Sequence, residues 1–157
     1  MHSQINIVDK INESLEKKIE EGHVAYETVH GIDVNYKSFA ITITDEHDDI
    51  CGILNAYTVY SEIYVDDIWV EEHARGKGYG RQLLQALENH FAGKGFNNIN
   101  LVTSAFQAPE FYKKCGYYVE FIRVNHKNPK LTKTFFIKYF DDAHQTQGLR
   151  VKENESN

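Results

Sequence analysis

The segment "HARGKGYGRQLL", His73 to Leu84, sets Gly76, Gly78 and Gly80 at alternate positions, with Arg75, Lys77 and Arg81 among them. Alternate glycines give up side chains and open the backbone to a close ligand. The cations beside them select an anion. Leu83, Leu84, Leu87 and Phe91 then recur at helical spacing, so the loop is the entrance to a helix. Unpaired N–H groups and the positive end of the helix dipole converge at such an entrance, which suits a diphosphate. Two further sets could do chemistry. "APEFYKKCG" carries the phenol of Tyr112 and the thiol of Cys115, and "SEIYVDDIWVEEH" carries Glu62, Asp66, Asp67, Glu71, Glu72 and His73 as proton acceptors.

Known phosphate cradles differ in their spacing. The Walker loop requires GxxxxGK[ST], and no Ser or Thr follows Lys77. A dinucleotide fingerprint requires GxGxxG, whereas the glycines here read GxGxG, with no acidic strand end about 20 residues on. A turn that merely reverses the chain has no use for flanking Arg, Lys and Arg. Metal chemistry finds no spacing either: the eight histidines form no HxH or HxxxH pair, and no metal is expected. Cys115 sits at a helix end beside Gly116 without a nearby histidine, which reads as packing rather than covalent catalysis.

The elements that must hold these groups follow from periodicity. Ile7, Ile11, Leu15 and Ile19 lie on one helical face, with Gly22 as a stop. Phe39, Ile41 and Ile43 alternate with polar residues, "DEHDD" is a turn, and strands follow over Ile50 to Tyr57 and over "EIYVDDIWV". After the loop and its helix come the strand "NINLVTS", the short helix "APEFYKKCG" and the strands "YYVEFIRV" and "TKTFFIKYF". Short turns make the early strands antiparallel, while the strand–helix–strand unit from about Ile63 to Thr103 must be a parallel crossover. The expected fold is α/β: a mixed, mostly antiparallel sheet with helices on both faces. Residues 1–140 form one domain and residues 141–157 a polar, flexible tail.

Composition narrows the classes. With 157 residues, a net charge of −6 argues against nucleic acid as the main partner, since phosphate backbones require a basic surface. No apolar run of about 18 residues exists, so no membrane span is expected. The start "MHSQINIVDK" lacks the apolar core of a signal peptide, and Cys51 and Cys115 form no CxxC, so the cytoplasm is the expected compartment.

Arg75, Gly78 and Gly80 fill the RxxGxG signature in register, and "DDIWVEEHARGKGYGRQLL" resembles the corresponding segment of the GNAT acetyltransferases. "FQAPEFYKKCGY" is similar to the family's second helix facing coenzyme A, with Tyr112, Gly116 and Tyr117 in the family's places. The resemblance covers about Phe39 to Tyr139 and agrees in element order. It implies acetyl-CoA as co-substrate, its diphosphate on Arg75, Gly76, Lys77, Gly78, Tyr79, Gly80 and Arg81, and its pantetheine arm along Ile68, Trp69 and Val70, where the parallel strands splay. A backbone N–H there, that of Val70, would stabilise the carbonyl oxygen. Tyr112 becomes the general acid: a phenol with reference pKa about 10 is protonated at neutral pH and can give its proton to a thiolate. Asp66 is the matching candidate for the base, with a water chain as the alternative, and strand alternation would send Asp67 to the opposite face. Many family members hold the arm with an asparagine seven residues before the tyrosine. Here that residue is Ala105, and Gln107 is the candidate replacement.

The implied function is N-acetyl transfer to a primary amine by direct attack in a ternary complex. A non-catalytic acyl-CoA-binding module, or a nucleotide-binding protein using the same loop, are the alternatives. The acceptor is a small-molecule or peptide amine, with "GHVAYETVHGIDVNYKS" and "NHKNPKLTK" as the walls of its site. Phe135, Phe136, Tyr139 and Phe140 on the late strands leave a homodimer open beside ordinary core packing.

Overall fold

Alternation places Phe39, Ile41 and Ile43 on one side of a strand, and β1, Lys37–Thr44, packs all three against the core. The computed structural model describes residues 3–140, so the tail expected over 141–157 lies outside the described residues. β2, Ile50–Val59, and β3, Glu62–Val70, complete an antiparallel meander. α2, Tyr79–Phe91, crosses to β4, Asn98–Ser104, which lies parallel to β3. α3, Pro109–Lys114, leads to β5, Tyr118–Arg123, and then β6, Lys133–Tyr139. Among the described residues, six strands run in the order β1-β2-β3-β4-β6-β5, with β3–β4 the one parallel pair. No helix among the described residues is long and apolar enough to cross a membrane.

The described residues divide into two compact units between Val34 and Asn35. The first carries α1, Glu13–Val29, which begins later and runs further than the apolar spacing predicts. Asn12 is the cap: its side chain accepts from the Leu15 N–H at 2.9 Å, and Glu13 and Glu16 complement the helix dipole. Gly22 does not end the helix. A single glycine costs only about 1 kcal/mol inside one, and the chain leaves the helix at His30 and Gly31 instead.

The second unit carries the sheet, α2 and α3. Leu83, Leu84, Leu87 and Phe91 of α2 bury against Leu54, Ala56, Ile63, Val65, Ile99, Leu101 and Phe136, and Phe111 and Tyr112 of α3 pack on the same cluster. Both helices therefore share one face of the sheet. Phe136, one of the late-strand aromatics, is fully buried within it.

Candidate active site

β3 and β4 pair at Glu62–Asn98, Ile63–Ile99 and Tyr64–Asn100 and no further. β3 continues to Val70 and β4 to Ser104, so the strands diverge and leave the β4-facing edge of β3 without a strand partner. A pocket of about 280 Å³ fills the divergence, lined by Asp66, Asp67 and Ile68 of β3, Val102 and Thr103 of β4, and Gln107, Ala108, Phe111 and Tyr112. The chain thus brings together Asp66, Ile68, Gln107 and Tyr112, which lie far apart in sequence. A larger cleft of about 850 Å³, between β1 and the end of α2, contains no residue of this wedge or of the glycine loop.

The two aspartates do not obey simple alternation. Asn55 pairs with Asp67 and the next residue, Ala56, with Val65, so Asp66 is an extra residue in β3. Both residues line the wedge, the charge of Asp66 acting on Tyr57 and that of Asp67 on Tyr112. Tyr112 is half-buried, and burial, followed by the nearby Cys115 and Asp67, holds its phenol above the ordinary value. It stays protonated at neutral pH. Burial likewise raises the Cys115 thiol despite Arg81 and Lys138 nearby, which disfavours a thiolate nucleophile.

At the other end of β3, Glu71 leads through a short 3₁₀ turn, Glu72–Ala74, into the glycine loop. Gly78 is the N-cap of α2 in the left-handed conformation, φ +80°, and contributes no side-chain cap. Among the described residues, no N–H from Gly76 to Arg81 meets an acceptor. A run of bare main-chain donors at a helix entrance fits a diphosphate. The cations are less uniform than the sequence implies. Arg75 Nε donates to the Val70 carbonyl at 3.0 Å, with its guanidinium 5.9 Å from the Trp69 ring centroid. Arg81 Nη2 donates to the Lys114 carbonyl at 3.0 Å, joining α2 to α3. Lys77 alone is exposed with no such bond, ready for an anion.

Ile68 faces the core beside the wedge, whereas Trp69, 46% exposed, points to the face away from α2 and α3. Gln107, though exposed, folds back on the end of β4: its Oε1 accepts from the Ser104 N–H at 3.1 Å and its carbonyl from Thr103 Oγ1 at 3.0 Å.

Sequence reasoning misses the polar surface on the sheet face away from α2 and α3. The Tyr57 and Tyr64 rings stack at 5.1 Å, and Tyr36 lies 5.9 Å from Tyr57. Tyr64 Oη donates to Glu62 Oε2 at 2.6 Å, and Asn98 Nδ2 donates to Glu62 Oε1 at 3.0 Å. That hydrogen bond, ahead of burial, pushes the Tyr64 phenol up to about 12. Burial and then Glu62 raise the Glu120 carboxyl. The signal was present: a two-residue turn at Tyr60 and Ser61 makes Tyr57 and Tyr64 cross-strand partners.

Residues 8–117 match the model of the Acetyltransferase (GNAT) family. A blasticidin-S acetyltransferase of Streptomyces morookaense is 33% identical over 81 residues, 50% of this chain and 59% of that protein. The match thus spans little more than half the length of that curated relative. Among solved structures, an acetyltransferase from Bacillus cereus ATCC 14579 superposes with a TM-score of 0.70 at 26% identity, covering 85% of this chain and 97% of its own. An aminoglycoside 6'-N-acetyltransferase complexed with coenzyme A shares the fold at a TM-score of 0.59 and 20% identity, covering 85% of this chain and 95% of its own.

Proposed function

The chain belongs to the GNAT acetyltransferase family, and from that premise we propose that it transfers acetyl from acetyl-CoA to a primary amine by direct attack in a ternary complex. One observation carries the reading: the β3–β4 wedge holds a protonated phenol and two carboxylates and lies on the strand that runs into the bare N–H groups of the glycine loop.

Acetyl-CoA, when bound, supplies an activated carbonyl and a thiolate leaving group. The N–H groups from Gly76 to Arg81, with Lys77, bind the diphosphate. β3 at Ile68, Trp69 and Val70 holds the pantetheine arm, satisfying backbone groups on its β4-facing side that have no strand partner, the Val70 carbonyl excepted, which accepts from Arg75 Nε. An N–H on this edge, that of Val70, stabilises the carbonyl oxygen as it gains charge, a role worth about 3–4 kcal/mol elsewhere. Tyr112 gives its proton to the departing sulfur. Asp66 takes the proton of the acceptor ammonium, directly or through water, and Asp67 lines the same wedge.

The acceptor is a cationic small-molecule amine. The tyrosine faces of Tyr36, Tyr57 and Tyr64 beside Glu62 and Glu120 support this, because aromatic faces and carboxylates both attract ammonium groups. The test is thiol release from acetyl-CoA with a panel of monoamines, polyamines, aminoglycosides and peptides, with the acetylated product identified by mass spectrometry. Release with a small cationic amine is expected. Tight coenzyme A binding without release from any amine would instead make the chain a binding module.

A further inference from the structure

Lys138 of β6 reaches across the helix-bearing face of the sheet and meets three elements at once. Its ammonium is ion-paired with Glu88 of α2 at 2.5 Å. It donates to the carbonyl of Cys115, the C-cap of α3, at 3.1 Å. It also lies 5.6 Å from the centroid of the buried Tyr117 ring. The Glu88 and Lys138 side chains are only 16% and 26% exposed. Gly116, at φ +88°, makes room for them, since a Cβ there would stand 3.3 Å from Lys138 Nζ.

A shielded ion pair of this kind adds little net stability, because desolvation offsets most of the attraction. Its geometry points to positioning. α3 has six residues, and its N-cap, Ala108, lies at φ +39° with no side-chain cap. A helix this short does not hold itself. Its last carbonyls are instead held from outside: Lys114 by Arg81 and Cys115 by Lys138. Tyr112 sits between these anchors and the wedge, its ring 5.6 Å from Phe136 and 6.3 Å from Tyr117.

We propose that Lys138 is a positioning residue for acetyl transfer: paired with Glu88, it clamps the C-terminal end of α3 to α2 and β6 and so sets Tyr112 in the wedge. The proposal rests on Tyr112 as proton donor, and it extends that reading to a residue outside the pocket.

The experiment compares Lys138→Met, Lys138→Arg, Tyr112→Phe and the Lys138→Met/Tyr112→Phe pair in the full chain. Three quantities are read: kcat and KM, coenzyme A affinity by calorimetry, and amide hydrogen exchange. In Lys138→Met, kcat falls about ten- to a hundredfold, as for a misplaced catalytic group. Coenzyme A affinity stays within about twofold, and Lys138→Arg recovers most of kcat. In the Tyr112→Phe background the lysine change adds less than about twofold, since both act through one group. The amides of Cys115, Gly116 and Tyr117, bonded within this turn, exchange at least about tenfold faster without the clamp. Independent, multiplicative losses in the double variant, a loss confined to coenzyme A affinity, or unchanged exchange would each overturn the proposal. If Lys138→Met melts below the assay temperature, Glu88→Gln is read by the same criteria. Unchanged kcat in Tyr112→Phe alone would retire the proton-donor reading, while the exchange data still report on the clamp.

Discussion

Gly80 of α2 and Phe111 of α3 approach so closely that a Cβ on Gly80 would stand 3.0 Å from Phe111 Cζ. The third glycine of the loop is therefore explained by the packing of two helices. Gly80→Ala should cost about 1–3 kcal/mol through overpacking, read as a shift in the urea midpoint. Phe111→Leu in the same chain should recover part of the loss. A Gly80→Ala variant of native stability that loses only coenzyme A affinity would mean that the ligand requires this glycine.

Gly78 presents the opposite case. A Cβ there meets nothing within 4 Å, but φ is +80°. The cost is confined to backbone strain of about 1–2 kcal/mol, so Gly78→Val should still fold. In relaxing, the backbone withdraws N–H donors from the loop, and calorimetry should find coenzyme A bound about tenfold more weakly, some 1.4 kcal/mol. Gly78→Asn, whose side chain tolerates the left-handed region, should lie between the two. Equal affinities in all three would remove the loop from the binding site.

Much of this arrangement is legible in the sequence because it is local. The strands "EIYVDDIWV" and "NINLVTS" coincide with β3 and β4, and the glycines mark the entrance of α2, since periodicity and turn chemistry act over a few residues. The bulge at Asp66 is not legible, because it depends on the register β3 adopts against β2. The same holds for Arg75 and Arg81, each of which gives one donor to a carbonyl, at Val70 and at Lys114. Spacing shows that a charge is present; only the tertiary fold decides what it faces. The start of α1 is a different failure: the apolar repeat runs through Ile7 and Ile11, but Asn12 caps the helix after both.

Tyr112→Phe should lower kcat about a hundredfold, the lower range for loss of a general acid or base, while coenzyme A affinity changes little. The pH profile gives an independent check. Burial raises the phenol above its ordinary value of 10.0, and a proton donor acts in its protonated form. Activity should therefore rise with pH as the acceptor amine loses its proton, and the descending limb should appear only above about pH 10. A descending limb near pH 8 would point to another acid.

Glu62 supplies a prediction about the acceptor that separates charge from packing. Its carboxylate accepts from Tyr64 Oη and Asn98 Nδ2, both neutral donors, so its negative charge is not cancelled. Glu62→Gln keeps the volume and removes the charge. For a cationic acceptor, KM should rise several-fold at low salt with kcat nearly unchanged. The difference should shrink toward 1 M salt, where the screening length falls to about 3 Å. The variant carries its own structural control. The Glu62 hydrogen bond pushes the Tyr64 phenol up to about 12, so with glutamine in place one tyrosine should ionise closer to the ordinary value, visible as an alkaline absorbance step at lower pH. If that step shifts while KM stays fixed at every salt concentration, the tyrosine–carboxylate surface is intact but does not meet the acceptor, which must then enter the wedge from elsewhere.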